Sequence, residues 1–172
     1  VVPKNQLIEL TKGSLTLGNL IVEPFAVSHD AADPIGINVF SGNDKATVVT
    51  DTGIISDDIL HRIDDSTLLV LEANYDPHML RFGPYQLFLK QRVASDEGHL
   101  SNEMAAQALL MMKRPDFMQV ILAHRSENNN NAVLVTQTIG KMLVDGGVRI
   151  GPEMKLQHGQ PNEIVSMQSI KR

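Results

Sequence analysis

Val48-Val49-Thr50-Asp51-Thr52-Gly53 is a short apolar run that stops at a carboxylate and then a glycine. An apolar run of this length, rich in β-branched residues and closed by turn formers, reads as a buried strand with a reactive side chain at its end. Two other segments repeat the arrangement. Phe25-Ala26-Val27-Ser28-His29-Asp30 lies upstream, and Val120-Ile121-Leu122-Ala123-His124-Arg125-Ser126 lies downstream. Each segment puts a side chain able to hold a metal directly after a strand. Alone, such a residue is also what a simple turn looks like. Three in order suggest neighbouring strand ends that bring His29, Asp51 and His124 to one edge of a sheet. Neutral imidazole and carboxylate are donors that suit zinc, manganese or iron.

Working outward, the first third reads as short strands at residues 7–10, 20–27, 36–40 and 46–49. Lys12-Gly13, Gly18-Asn19 and Asp33-Pro34 punctuate them. Spacing this tight predicts antiparallel pairs. Ser56-Asp57-Asp58 then starts a helix: a capping hydroxyl is followed by two carboxylates that suit the positive end of the helix dipole. Ile59, Leu60 and Ile63 form its apolar face. Residues 67–71 read as a buried strand and 84–94 as a helix. Residues 101–113 form a helix with Met104, Ala105, Ala108, Leu109 and Met112 on one face. Residues 120–123 are a further strand, and 131–145 a helix that Gly146-Gly147 ends. Residues 148–150 and 164–167 are expected to close the sheet. Asn128 to Asn131 read as a polar loop leading into a helix. The class is α/β.

The chain has 172 residues, 42% hydrophobic and 20% charged, which fits one globular domain across residues 1–172. A net charge of −5 gives no basic excess. Any nucleic-acid role then rests on a local patch or on metal ions. The absence of cysteine excludes disulfides, thiolate metal sites and a cysteine nucleophile, and it fits the cytoplasm. No apolar run approaches the roughly 18 residues of a membrane span. The chain opens Val1-Val2-Pro3 without an initiator Met, so a preceding segment is expected.

The three segments resemble the third, fourth and fifth motifs of the metallo-β-lactamase superfamily at Ser28-His29-Asp30, Thr50-Asp51-Thr52-Gly53 and Leu122-Ala123-His124. The match is to the YycJ-like, or WalJ-like, branch. It continues through Ala31-Ala32-Asp33-Pro34, Leu71-Glu72-Ala73-Asn74-Tyr75-Asp76 and Leu89-Lys90-Gln91-Arg92. It also takes in Ser95-Asp96-Glu97-Gly98-His99-Leu100-Ser101-Asn102 and Ala123-His124-Arg125-Ser126-Glu127-Asn128-Asn129. The resemblance spans about residues 20–135. It implies part of an αββα sandwich, a mixed sheet with helices on one face. It implies two divalent metals, Zn or Mn, with Asp51 between them and His29 and His124 one on each. It also implies a metal-bound hydroxide as nucleophile and a 5′ to 3′ exonuclease acting on DNA, with a role in DNA repair. The family's first two motifs, a His-x-His-x-Asp-His segment, have no counterpart in residues 1–28. The expectation is a C-terminal portion of a longer protein, inactive alone. Its apolar sheet face would be covered by the missing half or by a homodimer partner.

A second constellation, again through the resemblance, is Glu72 with His99. A carboxylate can fix an imidazole so that it donates a proton to a leaving oxygen. Without the family, the two are simply a strand-end and a helix-start residue. Lys90 and Arg92, and the amides at Ser101 and Asn102, are candidates for phosphate binding. Lys90 and Arg92 equally fit a solvated helix face. His61 and His78 read as structural, His158 has no evident partner, and Met111-Met112 reads as helix packing. Two alternatives stand beside the nuclease reading. One is an ester, thioester or lactam hydrolase of the same fold, which can work without a Glu72–His99 pair. The other is a non-catalytic binding domain that keeps only the scaffold.

Overall fold

The structure is a computed structural model that describes residues 3, 10, 13–160 and 163–166. Seven strands lie in chain order across one sheet: β1 (Leu15–Leu17), β2 (Leu20–Ala26), β3 (Ile35–Ser41), β4 (Asp44–Val49), β5 (Leu68–Glu72), β6 (Met118–Ala123) and β7 (Met154–His158). The first four form an antiparallel meander, and β4 to β7 pair in parallel. The parallel half needs crossovers, and helices supply them. These are α1 (Asp57–Ile63), α2 (Pro77–Phe82), α3 (Leu87–Val93), α4 (Asn102–Met111) and α5 (Ala132–Asp145). The mixed α/β class agrees with the sequence reading.

One face of the sheet makes the core. Val49, Leu69, Leu71, Val120 and Leu122 pack against Ile59 and Ile63 of α1, Leu109 of α4, and Ile139 and Leu143 of α5. Alternation along each strand sends the other residues to the opposite face. There Leu17, Leu20, Ile35 and Val48 are 47, 37, 45 and 40% exposed. These apolar side chains leave an open face on the sheet. No helix among the described residues is long and apolar enough to cross a membrane.

Local signals set the helix starts. Ser56 accepts from the Ile59 amide, Ser101 from Met104 and Asn131 from Leu134, so each cap satisfies a first-turn N–H. The strands read at 20–27, 36–40, 46–49, 67–71 and 120–123 fall within one or two residues of β2 to β6. The ends of the chain differ. The closing strand is Met154–His158, while Ile150 makes only an isolated bridge to Met154 and residues 163–166 have no regular structure. Residues 7–9 and 167 lie outside the described residues. Helix α2 was not anticipated, although Asp76-Pro77 is a start signal. The Asp76 carboxylate accepts from the Met79 amide, and Pro77 sits where no N–H is needed. His78 is therefore on a helix, beside Phe82. His158 has a partner, the Thr136 hydroxyl, at 2.9 Å.

Candidate metal and catalytic site

Two antiparallel pairings separate β2 from β4, so β2 runs in the direction of β4, β5 and β6. Residues that follow these four strands therefore emerge on one edge, where open α/β sheets place their ligands. His29, Asp51, Glu72 and His124 occupy that edge. His99 joins from the loop between α3 and α4. Its segment runs beside the end of β5: the Asn74 amide donates to the Leu100 carbonyl at 3.0 Å, and the Asn102 amide to Tyr75 at 2.9 Å.

Glu72 is the centre of the cluster and is fully buried. Its Oε1 accepts from Nδ1 of His99 at 2.6 Å and from Nδ1 of His124 at 3.0 Å. Its Oε2 accepts from the Thr52 amide at 3.1 Å. Burial pushes the Glu72 carboxyl up, but the hydrogen bonds from His124 and His99 outweigh it and hold the group below its ordinary value. The same bond from Glu72 pushes the His124 imidazole up, against its partial burial. His29 donates from Nδ1 to the Gly98 carbonyl at 3.0 Å, since a carbonyl can only accept. Its Nε2 then faces Asp51 Oδ1 at 3.6 Å, and His124 approaches the same oxygen at 3.6 Å. The ring centres of His29 and His99 are 5.1 Å apart, and those of His99 and His124 5.2 Å. With Nδ1 occupied in all three rings, three Nε2 atoms remain for a ligand, which is how fixed tautomers are set around metals.

The backbone is held in unusual conformations here. Asp51 and His124 have φ of 55° and 52°, in the left-handed region that L-residues seldom visit. Their neighbours hold them. Gly53 donates to the Ser28 carbonyl, and the Thr52 hydroxyl to Ile54. Asn74 donates from Nδ2 to the His124 carbonyl at 2.8 Å. A side chain at Gly53 would run into the Ser95 carbonyl, and one at Gly98 into the carbonyls of Arg92 and Val93. The two site loops can approach only because both positions are glycine.

Behind this edge lies Asn130, 4% exposed. Its Nδ2 donates to the carbonyls of Ala73 and Asn74 and to Asn102 Oδ1, and its Oδ1 accepts from the Asn131 amide. The polar loop read at 128–131 is thus partly interior. Asn130→Ala leaves several buried groups unpaired and is expected to cost about 3 kcal/mol. That corresponds to a fall of roughly 6–12 °C in Tm. A thermal melt showing an unchanged Tm would contradict this role.

The structure thus brings together His29, Asp51, Glu72, His99 and His124. The other four candidates are engaged elsewhere in the fold. Ser101 is buried as the cap of α4, and Asn102 is buried with its amide on Tyr75 and its side chain on Asn130. Lys90 donates to the Arg81 carbonyl at 2.8 Å, away from the cluster. Arg92 borders the cleft beside His99, but both Asp30 oxygens engage its guanidinium, lowering the Asp30 carboxyl from its ordinary value. Sequence reasoning gave no role to Asn74 or Asn130. The burial of the two Asn carries no local signal.

The donor set fits a divalent cation. The ligand atoms of His29, Asp51 and His99 lie within 4.8 Å of one another, as do those of Glu72, His99 and His124. Imidazole and carboxylate are the first-choice donors for zinc and manganese.

Comparisons with known proteins follow the same line. The model of the beta-lactamase superfamily domain matches residues 3–124. Exodeoxyribonuclease YycJ of Bacillus anthracis is 33% identical over 170 residues, 98% of this chain and 64% of that protein. Exodeoxyribonuclease WalJ of Streptococcus pneumoniae is 32% identical over 155 residues, 90% of this chain and 58% of that protein. The chain therefore spans about three-fifths of the curated relatives it matches. Among solved structures, the metallo-beta-lactamase fold protein YhfI from Bacillus subtilis superposes with a TM-score of 0.57 at 14% identity, over 84% of this chain and 50% of that one. Zn(2+)-bound PqqB from Methylobacterium extorquens gives 0.54 at 15% identity, over 86% and 48%. At these identities the two structures speak for the fold alone.

Proposed function

The chain belongs to the metallo-β-lactamase superfamily, in its YycJ-like branch, and from that premise we propose that the protein is a metal-dependent phosphodiesterase that degrades DNA as a 5′ to 3′ exonuclease. The observation that carries this reading is Glu72, buried and shared between His99 and His124 at 2.6 and 3.0 Å. One carboxylate couples a proton-donor candidate to a metal-ligand candidate. A DNA-repair role and a cytoplasmic location belong to the same proposal.

His29, Asp51 and His124 would hold the divalent ions, Zn or Mn. When bound, such ions act as Lewis acids and lower the pKa of water toward neutrality. The chain's own residues then do three things. Gly98 and Glu72 fix the imidazole tautomers. Asn74 and the loop around Gly53 hold His124 and Asp51 in their left-handed conformations. Glu72, by accepting from His99 Nδ1, turns Nε2 outward; in the doubly protonated ring Nε2 would carry the proton that passes to the departing oxygen, leaving a neutral ring still bonded to Glu72 through Nδ1.

The rival reading is an ester, thioester or lactam hydrolase. The full natural chain, loaded with manganese, is expected to hydrolyse bis(p-nitrophenyl) phosphate in preference to p-nitrophenyl acetate and to a chromogenic β-lactam. A reversed order of activities would transfer the protein to the rival class. No turnover on any of them would favour the non-catalytic reading.

A further inference from the structure

Residues 77–94 hold no Asp or Glu, in a chain that has 20 of them, and they fold into α2, α3 and the turn between. A pocket of about 350 Å³ opens between these helices, lined by Pro77, Leu80 and Leu87 together with Arg81 and Lys90. None of His29, Asp51, Glu72, His99 and His124 borders it. We infer that this pocket docks an acidic peptide segment of a partner protein, which puts an apolar side chain into the pocket and its carboxylates on Arg81 and Lys90. The inference does not depend on the phosphodiesterase reading.

Three observations carry it. The first is the build of the pocket. Leu80 is buried in a small cluster with Tyr75 and Val93, which gives the pocket a packed floor. The Lys90 ammonium donates to the Arg81 carbonyl at 2.8 Å and ties α3 to the last turn of α2. The volume lies at the small end of the range for ligand pockets, roughly 300–1,000 Å³, which suits one or two side chains.

The second is charge. No carboxylate lines the pocket, and neither Arg81 nor Lys90 makes an ion pair among the described residues. Asp76, just ahead of α2, is engaged as its cap on the Met79 amide. Lys90 uses one ammonium proton on Arg81 and keeps two for a ligand. In a chain of net charge −5, this carboxylate-free face is where an acidic segment meets attraction.

The third is the apolar surround. Where α2 ends and α3 begins, Phe82, Leu87 and Phe88 are 66, 71 and 65% exposed. Large apolar side chains exposed together mark a surface that meets a partner. A DNA duplex presents phosphates but no protruding apolar group to fill the pocket. A membrane surface is too broad to enter it. An acidic peptide brings both kinds of group on one chain.

The test uses the full natural chain and a dye-labelled peptide, a run of aspartates followed by Leu-Phe, read by fluorescence anisotropy. Saturable binding that weakens as salt is raised is expected. Replacing the aspartates by asparagine, or Leu-Phe by Ser-Ser, should remove most of it. Lys90→Glu and Leu87→Ser are each expected to weaken binding about tenfold. Leu87 is exposed, so a thermal melt of Leu87→Ser should match the parent. Lys141→Glu, the same charge reversal on α5, should bind the peptide as the parent does. Equal binding by the altered peptides, equal binding by Lys90→Glu and Leu87→Ser, or no saturable binding up to about 1 mM would overturn the inference. Sedimentation and a dye-labelled duplex identify the other occupants. If Leu87→Ser turns a dimer into a monomer, or if the two variants weaken duplex binding and not peptide binding, the face belongs to a second copy or to DNA and the peptide assignment fails.

Discussion

His99→Ala is expected to lower kcat on DNA by about 10²- to 10⁴-fold, the range for loss of a positioned proton donor. Metal content and KM should stay near those of the parent, and the pH–rate profile should lose one limb. Metal content and the pH–rate profile separate the proposed role from its two rivals. His99 belongs to both groups of donor atoms that could hold a cation. If it were a ligand, metal content would fall with activity. If it were only a packing residue, neither the profile nor kcat would move by this much. Its bond to Glu72 is the shortest in the cluster at 2.6 Å. That contact places the ring and decides which nitrogen faces outward.

Glu72→Gln is expected to be nearly as damaging to turnover and more damaging to the fold. The substitution conserves shape but not chemistry. Glu72 accepts three hydrogen bonds, from His99, His124 and the Thr52 amide. A glutamine offers one oxygen and an NH₂ that opposes at least one of those donors. At a site that is fully buried, such a mismatch costs about 1–3 kcal/mol. The two imidazoles then lose the partner that fixed their tautomers.

The pH dependence of stability in metal-free protein should change with it. In the parent, the folded Glu72 carboxyl lies below its ordinary value of 4.5, held there by the hydrogen bonds from His124 and His99 against burial. Its contribution is present above the unfolded value and is lost as pH falls through the folded one. His124 lies above its ordinary value of 6.5, raised by its bond to Glu72. Its contribution is complete below that value and is lost as pH rises through the folded one. The parent should therefore melt highest between these limits, while Glu72→Gln shows a lower and flatter curve. Identical curves for the two proteins would remove Glu72 from the centre of the site.

Much of this was legible in the sequence. The strand ends at His29, Asp51 and His124 were visible because a buried strand announces itself by apolar continuity and its end by turn residues. The caps at Ser56, Ser101 and Asn131 were visible because capping is local chemistry. Other features had no local signature. Strand β7, Met-Lys-Leu-Gln-His, alternates apolar and polar residues but has no β-branched residue and only two apolar positions. It forms because β6 offers it an edge, while Val148 and Ile150 carry the stronger propensity and stay out. Ser101 and Asn102 looked like an open helix start, yet the chain from Tyr75 covers them. Arg92 looked like a free cation until folding brought Asp30, far away in sequence, onto its guanidinium. In each case a long-range contact decided, and spacing alone does not report those.

The most direct test of a metal-dependent exonuclease is nucleotide release from 5′-labelled DNA by the full natural chain, stripped of metal and then titrated with manganese. Release should be absent in the stripped protein, return as manganese is added, and fail to return in Asp51→Ala. Release that survives stripping, or that manganese restores equally in Asp51→Ala, would contradict a metal site built on Asp51.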